Sequence, residues 1–135
     1  MPAGLGWHPY HPLVQGAGAD HLSFAARHRG DPDAQGRVLH CAQAPVYRMN
    51  PGETAAFCGW AGELALRLGP EVSIRIVGKD WHHLVLHRLR HGAYLCVEPL
   101  TVLLGRLGDE GFRPAAVLEP GESQRASWSR AALPR

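Results

Sequence analysis

From position 63 to position 98 short β-rich runs follow one another, the first two with apolar side chains at every second residue, and glycine or proline interrupts the pattern after each run. That is strand periodicity, broken too often to leave room for long helices. In 63–68 the leucines alternate with small or charged residues. Gly69-Pro70 turns the chain into 71–77, where Val72, Ile74 and Ile76 share a face. Two alternating runs around such a turn read as an antiparallel hairpin. Gly78-Lys79-Asp80 turns again into a β-rich run over 82–89, and Arg90-His91-Gly92 leads to a further strand over 93–98. Pro99 has no amide proton to donate, so this strand is expected to end at Glu98 or to lie on an edge there. Two more strands are expected over 113–119 and 123–130, around Pro120-Gly121. Residues 53–130 thus read as an antiparallel meander, the material of an all-β sandwich.

The first fifty residues are less regular. Positions 20–29 suit a turn or two of helix, and 37–41 a short strand. With 135 residues, no internal repeat and no linker, the chain is expected to form one β-rich domain over 1–135. Apolar residues make up 45% and charged residues 19%, enough to bury a core and to exclude a disordered tail. The formal charge of +2, from 13 scattered Arg and one Lys, argues against a nucleic-acid partner. No apolar run approaches the roughly 20 residues of a membrane helix, and the start of the chain lacks the pattern of a signal peptide. Cys41, Cys58 and Cys96 are odd in number and widely spaced, which suits reduced thiols in a cytoplasmic protein.

Nine histidines raise the question of a metal. His83, His87 and His91 are spaced by four, a ligand pattern only on a helix. Their β-rich neighbours make this a strand, where four residues span roughly 13 Å and cannot share one ion. No metal site is expected there.

Two segments carry candidate chemistry. In Gly4-Leu5-Gly6-Trp7-His8-Pro9-Tyr10 an imidazole is held in extended backbone by the proline after it. In Leu95-Cys96-Val97-Glu98-Pro99-Leu100-Thr101 a carboxylate ends an apolar strand, again before proline. Strand alternation places Glu98 on one face with Cys96 and Tyr94, where desolvation would raise its pKa. An imidazole and a desolvated carboxylate, both rigidly held, can serve as a general acid–base pair.

These two segments occur in order with Phe57-Cys58-Gly59-Trp60-Ala61-Gly62 between them and Leu118-Glu119-Pro120-Gly121-Glu122-Ser123 after them. The ordered set resembles the aldose 1-epimerase (galactose mutarotase) family, and specifically its C-terminal half. The resemblance implies a β-sandwich that is part of a galactose mutarotase-like supersandwich. It also implies interconversion of the α and β anomers of free hexoses such as galactose or glucose, without metal or organic cofactor. Carried over by motif, Glu98 is the general base and His8 the general acid. Tyr10, Thr54, Phe57 and Trp60 are the candidate substrate-binding residues, with Trp7 a further aromatic of the same kind.

The sequence also departs from that family. Thr54 stands where the family has an Asp that holds sugar hydroxyls, and His11 where an aromatic is usual. Val102-Leu103-Leu104-Gly105-Arg106 replaces a His and an Asp-Ala after the Glu strand. Family members are about twice as long, with a further His and an Arg from the N-terminal half. A chain without that half is expected to leave sheet edges and an apolar face open. Either a homo-oligomer or the missing N-terminal half would cover them. Three alternatives follow: a non-catalytic carbohydrate-binding sandwich, a hexose-6-phosphate 1-epimerase, and a module whose open sheet pairs with another chain.

Overall fold

The computed structural model describes residues 2–13, 22–30, 32–35, 42–43, 49–68, 72–90, 94–103 and 116–133. Among them are twelve strands and no helix. In chain order these are β1 (Pro2–Ala3), β2 (Tyr10–Pro12), β3 (Leu22–Phe24), β4 (His28–Gly30), β5 (Ala42–Gln43) and β6 (Thr54–Cys58). Then come β7 (Glu63–Arg67), β8 (Ser73–Lys79), β9 (His83–Arg88), β10 (Tyr94–Leu100), β11 (Ala116–Val117) and β12 (Ser127–Ala132). A six-stranded sheet has the order β2-β10-β9-β6-β4-β5, and a four-stranded sheet the order β12-β8-β7-β3. β1 and β11 form a separate pair, and all pairings are antiparallel.

The all-β expectation is met, and the simple meander is not. The chain leaves the six-stranded sheet after β6, makes the β7–β8 hairpin in the other sheet, and returns to lay β9 directly against β6. Gly62 makes the outward crossing possible. Its φ is +82°, and a Cβ there would stand 2.5 Å from the Gly78 carbonyl oxygen, to which no side chain could adapt. The same pair is tied by a hydrogen bond from the Gly78 amide to the Gly62 carbonyl. The return crossing follows Asp80, whose positive φ of 67° is tolerated by a short polar side chain.

Between the sheets lies the main core. Ala55 and Phe57 of β6, Leu84 and Leu86 of β9, and Leu95 and Val97 of β10 meet Leu64, Leu66, Ile74 and Ile76 of the four-stranded sheet. Met49, Trp60 and Trp81 complete it. Trp60 and Trp81 each bury their ring and donate the indole N–H to a backbone carbonyl, of Glu63 and Ser127 respectively. The opposite face of the six-stranded sheet is also dry at its centre. There Ala56, Val85 and Leu103 form a second small cluster, flanked by Cys58 and Leu100. Burial on both faces explains why β9 reads as an unbroken Leu-Val-Leu run.

Four local expectations are corrected. Within the expected helix 20–29 the described residues form two short strands, β3 and the start of β4, joined by residues 25–27: Leu22 and Phe24 alternate inward around exposed Ser23, in register with Leu66 and Leu64. Phe24 then meets Phe57 edge-on, centroids 4.8 Å apart, and this tertiary pairing overrides a weak local preference. β8 continues through Gly78 and Lys79, so the turn begins only at Asp80. β12 begins at Ser127, four residues later than expected, because its register is set by Ser127–Ala132 on β8.

β10, finally, runs past Glu98 through Pro99 to Leu100. Pro99 is accommodated because its ring nitrogen points away from β9 and toward residues 4–9, where regular pairing has already given way to isolated bonds. The expected strand over 37–41 lies outside the described residues, as does most of the one over 113–119, of which β11 is described.

Candidate acid–base site

Residues 4–9 lie antiparallel along the outer edge of β10, and a few bonds set their register. Tyr10 pairs with Cys96 in the β2–β10 ladder, and Gly6 bridges to Leu100. Each step along one strand is matched by a step back along the other, so His8 falls opposite Glu98. The flanking bonds run from the Trp7 amide to the Pro99 carbonyl and from the Val97 amide to the Pro9 carbonyl. His8 and Glu98 therefore occupy a non-hydrogen-bonded pair, the kind in which side chains come closest. Further along, the Leu5 amide donates to Thr101 Oγ1, and the Thr101 amide to the Leu5 carbonyl. Gly6 permits this approach: a Cβ there would meet Leu100 Cδ2 at 2.7 Å.

The result is a 3.0 Å contact between His8 Nε2 and Glu98 Oε1. The imidazole is 54% exposed and the carboxylate only 12%. Burial raises the Glu98 pKa above the ordinary carboxylate value, and the neighbouring His8 pulls in the opposite direction. Cys96, two residues back on the same face, has its Sγ within 4.8 Å of donor atoms of both His8 and Glu98. Burial, with the nearby Glu98 charge as a smaller contributor, pushes its thiol up to about 11. Tyr10 stands on the same face, its ring 5.1 Å from that of His8 and largely exposed.

Across the sheet this face continues in rows set by register. Cys96 of β10 lies beside His87 of β9, and His87 beside Thr54 of β6. Thr54 Oγ1 and His87 Nδ1 are hydrogen-bonded at 2.6 Å. Thr54 is thus two strand spacings, roughly 10 Å, to the side of the Cys96–Glu98 strand and on the same face.

Of the residues singled out from sequence, His8, Glu98, Tyr10 and Thr54 are brought to one face. Phe57 and Trp60 are not. Phe57 is fully buried on the opposite side of its strand, against Phe24. Trp60 is 5% exposed and packs in the core, its edge lining a groove of about 500 Å³ with Ala25, Arg27, Gly59 and His82. Trp7 leans the other way, onto Trp128 at 5.8 Å. His87 and Cys96 were not singled out as site residues. Alternation along β10 already puts Cys96 on the Glu98 face, whereas His87 is brought in by cross-strand register, which cannot be read from one strand's sequence.

No protein-family model matches the sequence, and no curated protein matches it. Solved structures do. A candidate aldose 1-epimerase from Escherichia coli K12 matches with a TM-score of 0.72 at 19% identity, over 98% of this chain. The match takes in half of that protein. The Slr1438 protein from Synechocystis sp. PCC 6803 matches with a TM-score of 0.68 at 22% identity, over 96% of this chain and 44% of its own. The chain thus spans about half the length of the structures it matches, and it shares their fold. The resemblance carried by the ordered motifs holds at the level of fold, for part of an aldose epimerase-like architecture.

Proposed function

We propose that this chain carries the acid–base pair of a sugar anomerase, acting on the α and β forms of free hexoses such as galactose or glucose. The observation that supports this reading most strongly is the His8–Glu98 pair. It joins an accessible imidazole to a mostly buried carboxylate at 3.0 Å, on a fold shared with a candidate aldose 1-epimerase.

In the proposed reaction a cyclic hexose enters at the exposed His8 side and separates the two groups. Glu98 takes the proton of the C1 hydroxyl as C1=O1 forms. The C1–O5 bond breaks with its electrons going to the ring oxygen, and His8 supplies the proton that O5 acquires. Rotation about C1–C2 presents the other aldehyde face, and the same two transfers run in reverse as the ring closes. Burial gives Glu98 a pKa nearer neutrality than that of a free carboxylate, which favours its work as a base. His8, its ring half exposed beside the carboxylate, is placed to give and regain that proton. Tyr10 offers a ring face beside His8, and Thr54 with His87 offers hydroxyl-binding groups farther along the same face. This chemistry needs no cofactor.

The test is polarimetry of freshly dissolved α-D-galactose and α-D-glucose with chelator present. Wild-type chain should hasten the approach to equilibrium, and Glu98→Gln should return it to the buffer rate. If folded wild-type protein leaves the relaxation unchanged, catalysis by this chain is wrong.

A second reading, favoured by the hydrogen-bonded Thr54–His87 pair on the same face as His8 and Glu98, is a sandwich that holds sugar without converting it. Saturable sugar binding by calorimetry, with unaltered anomer relaxation, would select it.

A further inference from the structure

The acid–base reading leaves Cys96 without a task, although its Sγ sits within 4.8 Å of donor atoms of both His8 and Glu98. One imidazole nitrogen, one sulfur and one carboxylate oxygen converge there from two antiparallel segments. The geometry points to a second property of this cluster: it is a capture site for a soft divalent cation, Zn²⁺ or Cd²⁺, held by His8 Nε2, Cys96 Sγ and a Glu98 oxygen.

Zinc bonds of about 2.0 Å to nitrogen or oxygen and 2.3 Å to sulfur place the donors of such a set roughly 3.3–3.5 Å apart at a tetrahedral ion. His8 and Glu98 are 3.0 Å apart here, and no two of the three donor atoms are more than 4.8 Å apart. Closing the gap requires a small rotation of His8, whose ring is half exposed. Cys96 and Glu98 need not move far, since residues two apart on a strand already share a face. Three protein donors leave a fourth position for water, as in open zinc sites. A thiolate with an imidazole selects Zn²⁺ and Cd²⁺ over Mg²⁺ or Ca²⁺.

The metal displaces two protons: that of the Cys96 S–H, which leaves to solvent, and that of the His8–Glu98 hydrogen bond, which leaves to solvent or moves to His8 Nδ1; coordinate bonds to Nε2 and the carboxylate oxygen replace that hydrogen bond. A bound ion would thereby withdraw both members of the acid–base pair together. The inference rests on the three donor atoms and not on sugar chemistry, so its test involves no sugar.

The 135-residue chain is titrated with Cd²⁺, following thiolate-to-metal charge-transfer absorption in the ultraviolet and heat by calorimetry. Zn²⁺ competition and Mg²⁺ as a blank complete the set. One Cd²⁺ per chain is expected, displaced by Zn²⁺ and not by Mg²⁺. Cys96→Ser should abolish the thiolate band. His8→Ala, a change at an exposed ring, should weaken binding more than about 10-fold, the loss common even for partners behind the ligands. Cys58→Ser and His87→Ala should bind like wild type. The inference is overturned by absence of saturable binding at millimolar metal, by a band that survives Cys96→Ser, or by a band lost instead in Cys58→Ser or Cys41→Ser. Wild-type affinity in folded His8→Ala overturns it too, whether or not Cys96→Ser folds.

Discussion

His8 and Glu98 face each other across a cross-strand pair whose neighbouring rungs are each limited to one backbone hydrogen bond. Pro99 accepts from Trp7 and cannot donate back, and Pro9 accepts from Val97 and cannot donate back. Both residues thus precede a proline that holds them extended while thinning the ladder around them. The side-chain contact is consequently a partner to the fold rather than a pillar of it. We expect His8→Ala to change stability by less than about 1 kcal/mol, as is usual for an ion pair with one exposed partner. Glu98→Gln removes a carboxylate that burial disfavours, so its melting temperature should equal or exceed that of wild type. Either change should slow enzyme-dependent anomer relaxation by about 10²–10⁴-fold. A large loss of stability with either variant, seen by thermal melting, would mean that the pair is structural.

Gly6 governs whether this pair forms at all. A methyl group added there meets Leu100 Cδ2 at 2.7 Å, so either Leu100 must turn away or the segment must lift off β10. Lifting would break the bonds between Leu5 and Thr101 and draw His8 from Glu98. Gly6→Ala should therefore lower the proposed anomerase activity well out of proportion to its cost in stability, expected at about 1–3 kcal/mol for local overpacking. Comparing denaturation midpoints with polarimetric rates checks the disproportion. Equal, small effects on both would show that Leu100 absorbs the clash.

Much of this arrangement is legible from single segments, and the remainder depends on segments meeting. Alternation marks β7 and β8, and β-rich apolar runs bounded by turn residues mark β9 and β10, because each buries one or both faces over five or more residues. It could not reveal that β7 and β8 sit in a different sheet from the β6 and β9 that flank them, since a turn and a crossover can share the same glycines. Residues 22–30 misled because three-residue strands carry too little periodicity to compete with a helical reading. At the site, ordered motifs pointed to His8 and Glu98. Phe57 and Trp60 carry equally suggestive motifs, yet the pleat turns Phe57 inward and the Glu63 carbonyl anchors the Trp60 indole in the core. The Thr54–His87 bond links positions 33 apart in sequence and became visible only with register.

Phe57 provides the test of that reassignment. As a wholly buried ring with an edge-on contact to Phe24, it should behave as core. Phe57→Ala should cost about 3–5 kcal/mol, and Phe57→Leu markedly less. Sugar affinity of the folded Phe57→Leu protein should match that of wild type when measured by calorimetry. A selective loss of sugar binding with stability intact would return Phe57 to the binding site.

His11 makes the protein sensitive to acid. It is fully buried on the core side of β2, and neither ring nitrogen has a hydrogen-bond partner among the described residues. Burial lowers its pKa below the usual imidazole value, and Arg130 adds to the same shift. His83, also largely buried and with an unpartnered Nδ1, is shifted in the same direction by burial and by His82. In the unfolded chain both imidazoles protonate below about pH 6.5. The folded state resists that proton, so unfolding takes protons up, and stability falls as pH drops from about 6.5 toward the lowered folded values. Above that window the neutral forms prevail in both states and the effect vanishes. Urea denaturation at pH 7.5 and at pH 5 should show wild type weakened at the lower value. His11→Leu, close in volume and without nitrogens to strand, should recover part of that loss while differing less from wild type at pH 7.5. An identical pH dependence in the two proteins would show that His11 finds a partner for its proton when the chain is acidified.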